Sequence, residues 1–380
     1  MTFDEIVEKA SKCIKSQTQI GNETNPRFLA FTAPSSICSE KVRCMLSFKQ
    51  INYISFNVDL FSFENYHPNY VEMRALGWNG GSLVGDHDWT GSTSAASFGF
   101  DPLVVPTLVD MKEKRVVVDS KKIIEYIEKV IPNPSLYNES HNKLIEKHID
   151  MVDDTPHAGI LYGGDPDNDF LPPILKHALF EVNSSQRESL NKWLNGKSLP
   201  ASLVHFYEAK LKKCKNVGHT IQNDPEKLRK GIQETRRILS ELDRDLEKSN
   251  GTWICDNCFT MADLVWHVSL LRFLTFGCGY LTESMPRVEA YRERLLSHPL
   301  LKAATYTWPG FIPSPNLTAL LWKEGTLAQV ERNRALIVLL GFKGGLFLGL
   351  KELVKYVLSG TTGVVSLGVA ATILAYKRWE

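Results

Sequence analysis

The stretch "RFLAFTAPSSICSEKVR" (27–43) runs from a short apolar segment through three serines and a cysteine into a helical pattern. Residues 27–32 have the composition of a buried strand, and Ser35 or Ser36 is placed to cap the helix that follows, which carries Val42, Met45 and Leu46 on one side. Downstream, "INYISFNVDL" (51–60) alternates, with Ile54, Phe56, Val58 and Leu60 as its apolar set, and predicts a second strand. The stretch at 27–43 is therefore the first half of a β-α-β unit, and its serine-cysteine cluster lies at the strand-to-helix turn.

Farther out, residues 77–101 are rich in Gly, Ser and Thr and hold no sustained period, which predicts a long loop. "LVVPTLVD" (103–110) and "RVVVD" (115–119) are apolar runs joined by charged residues and read as a hairpin, and "DSKKIIEYIEKVI" (119–131) follows as an amphipathic helix. The order β-α-β, connection, β-β-α is the thioredoxin-like arrangement. From about 140 onward strand signals vanish. Helical spacing dominates "EKLRKGIQETRRILSELDRDLEKS" (226–249), and "FTMADLVWHVSLLRFL" (259–274) opens on a capping box from Thr260 to Asp263.

The predicted organisation is an N-terminal extension (1–26), an α/β thioredoxin-like domain (27–132) with the loop insertion 77–101, an all-α domain (140–325) and a hydrophobic tail (335–380). Within the tail, "YVLSGTTGVVSLGVAATILAY" (356–376) has no charge and is long enough for a membrane span, with Lys355, Lys377 and Arg378 at its flanks. The expectation is a C-terminal transmembrane helix that anchors the chain in the mitochondrial outer membrane or endoplasmic reticulum, with the remainder facing the cytosol.

Lys plus Arg number 44 and Asp plus Glu 43, for a net charge of +1 without blocks of one sign, so nucleic acid is not an indicated partner. The first residues, "MTFDEIVEKASKCIK", do not resemble a secretory signal. Seven scattered cysteines argue against a disulfide framework and for chemistry at a particular thiol. Cys255 and Cys258 have metal or redox spacing but no second pair, and no metal is expected. The lysines of "AKLKKCK" (209–215) read as a solvated helix face.

Ser36-Ile37-Cys38-Ser39, Val105-Pro106 and Asp119-Ser120 occur in this order ahead of a helical domain with the Thr260–Asp263 cap. In this the chain resembles the glutathione S-transferase superfamily. "SICSEKVR", "FSFENYHPNYVEM" (61–73) and "VVPTLV" with "VVVDS" resemble its zeta-like branch, and most closely the glutathione-dependent reductive dehalogenases of the tetrachlorohydroquinone dehalogenase type. The resemblance implies a glutathione transferase fold and glutathione as co-substrate. It also implies roles. Ser36 activates the glutathione thiol, a cis Val105-Pro106 bond presents backbone to the cysteinyl part, and Asp119 and Ser120 hold the γ-glutamyl end.

Cys38, in the first turn of a helix with Lys41 three residues on, is expected to have a lowered pKa and raised nucleophilicity. The resemblance makes it the residue that resolves a glutathione conjugate of a halogenated hydroquinone or phenol. His157 and Tyr162 are candidate contacts to that acceptor, and the 77–101 loop a candidate lid. Plain capping explains Ser36, Asp119 and Ser120 equally well locally, and a small apolar role explains Cys38. General glutathione conjugation, or maleyl keto acid cis/trans isomerisation, would use the same residues, and a membrane adaptor without catalysis would need none. A homodimer is a further expectation, without an interface signature.

Overall fold

The computed structural model describes residues 1–85, 99–159, 165–167, 173–220 and 224–311. Strands β1 (Gln17–Ile20), β2 (Phe28–Thr32), β3 (Tyr53–Asn57), β4 (Thr107–Asp110) and β5 (Arg115–Val118) form one sheet in the order β1-β3-β2-β4-β5. β2 and β3 are parallel because helix α2 (Ile37–Phe48) makes the crossover, and the other three pairings are antiparallel.

Period-two alternation gives each strand two different faces. Phe28, Ala30 and Leu108 face α2 and α4 (Ser120–Val130), whose Val42, Leu46, Ile123, Ile124 and Ile127 complete that layer. Phe31, Phe56 and Val109 face α1 (Phe3–Lys12) and α3 (Pro68–Ala75), against Val7, Ala10, Tyr70 and Met73. The first 26 residues are thus part of this layer rather than a simple extension. Thr2 and Glu5 cap α1 reciprocally, and β1 pairs with β3 through Gln17↔Phe56.

Helices α5 (Asn142–Asp154), α6 (Pro173–Asn195), α7 (Val204–Thr220), α8 (Pro225–Lys248), α9 (Met261–Thr275), α10 (Pro286–Ser297) and α11 (Pro299–Ala304) make the second part. α9 is buried almost all round and packs on α2, α5 and α10. Its start is fixed by Asp263, which accepts from the Thr260 N–H at 2.8 Å and hydroxyl at 2.9 Å. The two parts share one core, since Val42 and Leu46 belong to the same apolar cluster as Ile149, Trp266 and Leu301.

The expected membrane anchorage is corrected. Among the described residues no helix is long and apolar enough to cross a membrane, and the proposed span at 356–376 lies outside them. The fold of the described residues is an α/β thioredoxin-like part joined to a helical part.

Candidate functional site

The turn between β2 and α2 is held from behind. The fully buried Arg43 donates to the carbonyls of Ala33 at 2.9 Å, Pro34 at 2.6 Å and, across to the helical part, Ala304 at 2.8 Å. Arg272 of α9 donates to the Ser35 carbonyl at 3.0 Å. Ser36 is the N-cap of α2, with its hydroxyl accepting weakly from the Ser39 N–H at 3.4 Å. So long a bond leaves that hydroxyl free to serve another partner.

Cys38 lies in the first turn of α2, half buried, beside the Ser120 side chain at the start of α4. Lys41, one turn further, is almost completely buried and paired with Asp153 of α5 at 2.5 Å. The expectation of a lowered thiol pKa is corrected: burial pushes the Cys38 thiol up, Lys41 and Ser120 oppose the rise, and Asp119 and Asp153 add to it. For Lys41 burial works against the charge, but Asp153 more than offsets it and its pKa is raised.

Asp119 has φ +75° and ψ 127°, a backbone state few non-glycine residues adopt, and caps α4 through Lys121 N–H at 2.9 Å and Lys122 N–H at 3.4 Å. That leaves Ser120, whose N–H makes no hydrogen bond among the described residues, as the open donor at this helix end. Val105-Pro106 is cis. The carbonyls around it are taken up by buried side chains: Leu103 by Asn65 at 2.6 Å, Val104 by Tyr70 at 2.7 Å, and Pro106 by Arg74. Val105's own N–H and C=O make no hydrogen bond among the described residues. An unpaired peptide between satisfied neighbours is what an extended ligand backbone can pair with.

Ser36, Cys38 and Ser120 thus surround two helix N-termini, and Asp119 and Val105 lie at the adjoining ends of strands β5 and β4. His157 is elsewhere in character: it is buried, takes a hydrogen bond with Ser269 at 3.1 Å and stacks on Phe273 at 5.4 Å. Burial, with Lys41 and Arg272 nearby, holds its pKa well below the usual value, so it is neutral. Tyr162 lies outside the described residues, as do residues 86–98 of the proposed lid. The near ends of that loop meet where Leu83 bridges Phe100.

Two features escaped the sequence. Lys210 and Lys213 are not a solvated face; both pair with the buried Asp101, at 2.7 and 3.2 Å. Arg74 is buried beneath the Val105-Pro106 segment. Neither carries a spacing signal, because each partner comes from a distant part of the chain. Cys255 and Cys258 close a tight turn, one buried and one exposed, and among the described residues no metal-binding group of His, Cys, Asp and Glu forms. A cavity of about 630 Å³ over β5 and α4, lined by Gly77, Val117, Lys122 and Tyr126, includes none of the candidate residues.

Residues 35–130 match the family model described as glutathione S-transferase, N-terminal domain, and residues 203–299 that of the C-terminal domain. Two curated relatives, the 2,5-dichlorohydroquinone reductive dechlorinases of Sphingobium indicum strains B90A and UT26, are each 35% identical over 302 residues, covering 78% of this chain and 87% of theirs. Among solved structures, the β-etherase LigF of Sphingobium sp. strain SYK-6 superposes with a TM-score of 0.51 at 16% identity, over 73% of this chain and 98% of that one.

Proposed function

From the premise that the chain belongs to the glutathione S-transferase family, an enzyme family with glutathione as co-substrate, we propose that it catalyses the glutathione-dependent reductive dehalogenation of a chlorinated hydroquinone. The acceptor class rests on the likeness to the two dechlorinases, which extends over most of both chains. The resolving step rests on the position of Cys38 at a helix N-terminus between Ser120 and Lys41.

In this reading the Ser36 hydroxyl donates to the glutathione sulfur and, with the N-terminus of α2, favours its thiolate. The Val105 peptide pairs with the tripeptide backbone, and the Ser120 N–H with the γ-glutamyl carboxylate. Thiolate displaces chloride from the ring and forms a carbon–sulfur bond. Cys38, as thiolate, then attacks the sulfur of that conjugate; a sulfur–sulfur bond forms, the aryl carbon–sulfur bond breaks, and the ring carbon takes up a proton. A second glutathione thiolate cleaves the mixed disulfide, freeing Cys38 and releasing glutathione disulfide. His157, neutral and buried on Phe273, is proposed as a fixed wall of the acceptor side.

Product analysis of Cys38→Ser with glutathione and 2,5-dichlorohydroquinone tests this. Chloride release should persist while the glutathionyl hydroquinone accumulates and dechlorinated product falls by orders of magnitude. Dechlorinated product at the wild-type rate would remove Cys38 from the mechanism, and a wild-type enzyme that stops at the conjugate would reduce the activity to simple conjugation.

A further inference from the structure

Five side chains from three separate elements converge on the short segment 101–107. Asp101 is 4% exposed, and its carboxylate accepts from the Leu103 N–H at 3.0 Å, from Lys210 at 2.7 Å and from Lys213 at 3.2 Å. Its carbonyl accepts from Arg74 Nε at 3.0 Å. The same guanidinium reaches the Pro106 carbonyl and, at 2.7 Å, the Thr107 hydroxyl. Tyr70 donates to the Val104 carbonyl at 2.7 Å, and Asn65 to that of Leu103 at 2.6 Å.

Every neighbour of Val105 is thereby fixed, while Val105 itself is left unpaired among the described residues. A buried carboxylate with two ammonium partners is costly to assemble for stability alone, since apolar residues of similar volume do as well or better. What such a cluster does supply is geometry. Even against burial, Lys210 and Lys213 hold the Asp101 carboxyl far below its usual range, so the pairing persists over all neutral and mildly acidic conditions.

We infer that Asp101, clamped by Lys210 and Lys213 of α7, is a positioning residue which, with Arg74 and Tyr70, presents the Val105 peptide to glutathione. The inference rests on the assignment of Val105-Pro106 as a glutathione contact. It also makes α7, in the helical part, a determinant of glutathione affinity. The Asp101–Lys210 pair spans the two parts of the molecule, so displacement of α7 moves the peptide that pairs with the co-substrate.

The test uses the full chain and two variants, Asp101→Asn and the milder Tyr70→Phe, which keeps the ring and loses the hydroxyl's bonds to the Val104 carbonyl and, at 3.0 Å, to the Thr107 hydroxyl. Glutathione dissociation constants are measured by calorimetry, and kcat and KM are measured for glutathione and for the chlorinated hydroquinone separately. The expected result is a rise of roughly tenfold in KM and Kd for glutathione, the effect of about one hydrogen bond. The acceptor KM should stay unchanged, and so should kcat at saturating glutathione. Unchanged glutathione affinity in a folded Tyr70→Phe variant, or equal losses for both substrates, overturns the inference. Failure of the wild-type chain to bind glutathione would instead sink the Val105-Pro106 assignment beneath it.

Discussion

Cys38 is surrounded by one cation, Lys41, and two anions, Asp119 and Asp153, beside the Ser120 hydroxyl. Lys41 serves two negative partners, and Asp153 competes with a thiolate for it. Removing Lys41 and removing Asp153 should therefore act on the thiol in opposite senses, although both break the same buried pair and each should cost stability of about 3–5 kcal/mol. Lys41→Gln is expected to raise the apparent pKa of Cys38 alkylation, and Asp153→Asn to lower it. The rate of iodoacetamide labelling of the Cys38 peptide against pH reads this directly. Shifts of the same sign would mean that damage to packing, not charge, governs the thiol. Sequence spacing located Lys41 but gave the wrong sign for the thiol, because burial is a property of the helical part that covers α2.

At the scale of elements, local patterns were legible wherever one element carried its own signal. The strand-turn-helix at 27–43, the hairpin 103–119 and the α9 cap follow from periodicity and capping chemistry. β1 did not: "QTQI" alternates between exposed and half-buried positions and has no apolar run, since it only covers an edge. α7 read as a solvated face because Lys210 and Lys213 look alike in sequence whether they meet water or a buried carboxylate 112 residues or so away along the chain. The site divides in the same way: Ser36, Cys38, Pro106 and Ser120 stand at legible element boundaries, whereas Arg43, Arg74 and Arg272 act through distant carbonyls. Asp263 marks the strongest cap. It accepts from the Thr260 N–H and hydroxyl, the Ile254 N–H at 3.2 Å and the Tyr291 hydroxyl at 2.8 Å. Asp263→Ala leaves these donors buried without acceptors, at about 1–3 kcal/mol each where no water replaces the carboxylate. Urea unfolding should show a loss on the order of 4 kcal/mol; a loss below 1 kcal/mol would mean that the cap is not what fixes α9.

For the whole molecule, one core joining two parts makes stability a shared property, and buried titratable groups within it make that stability depend on pH. His148 accepts from Trp266 Nε1–H at 3.0 Å on one nitrogen and has Asp245 at 3.4 Å on the other; burial lowers its pKa to about 4. Burial likewise lowers that of His267 to about 3. Below pH 6.5 the unfolded chain takes up protons that these native histidines refuse, so their contribution to stability is lost as pH falls from about 6.5 toward 4, by about 1.4 kcal/mol per pH unit for each group. Glu40 has the opposite sign. Burial raises its pKa to about 7, against Arg43 and Arg272, so between about pH 4.5 and 7 the native state holds a proton that the unfolded chain releases. Stability from this group rises as pH falls through that window. The two kinds of group can be separated by urea unfolding of the full chain at a series of pH values. His148→Gln should flatten the acid decline by close to one proton, and Glu40→Gln should steepen it by the same amount. Parallel curves for wild type and both variants would place the titrating groups elsewhere and leave these buried residues as packing alone.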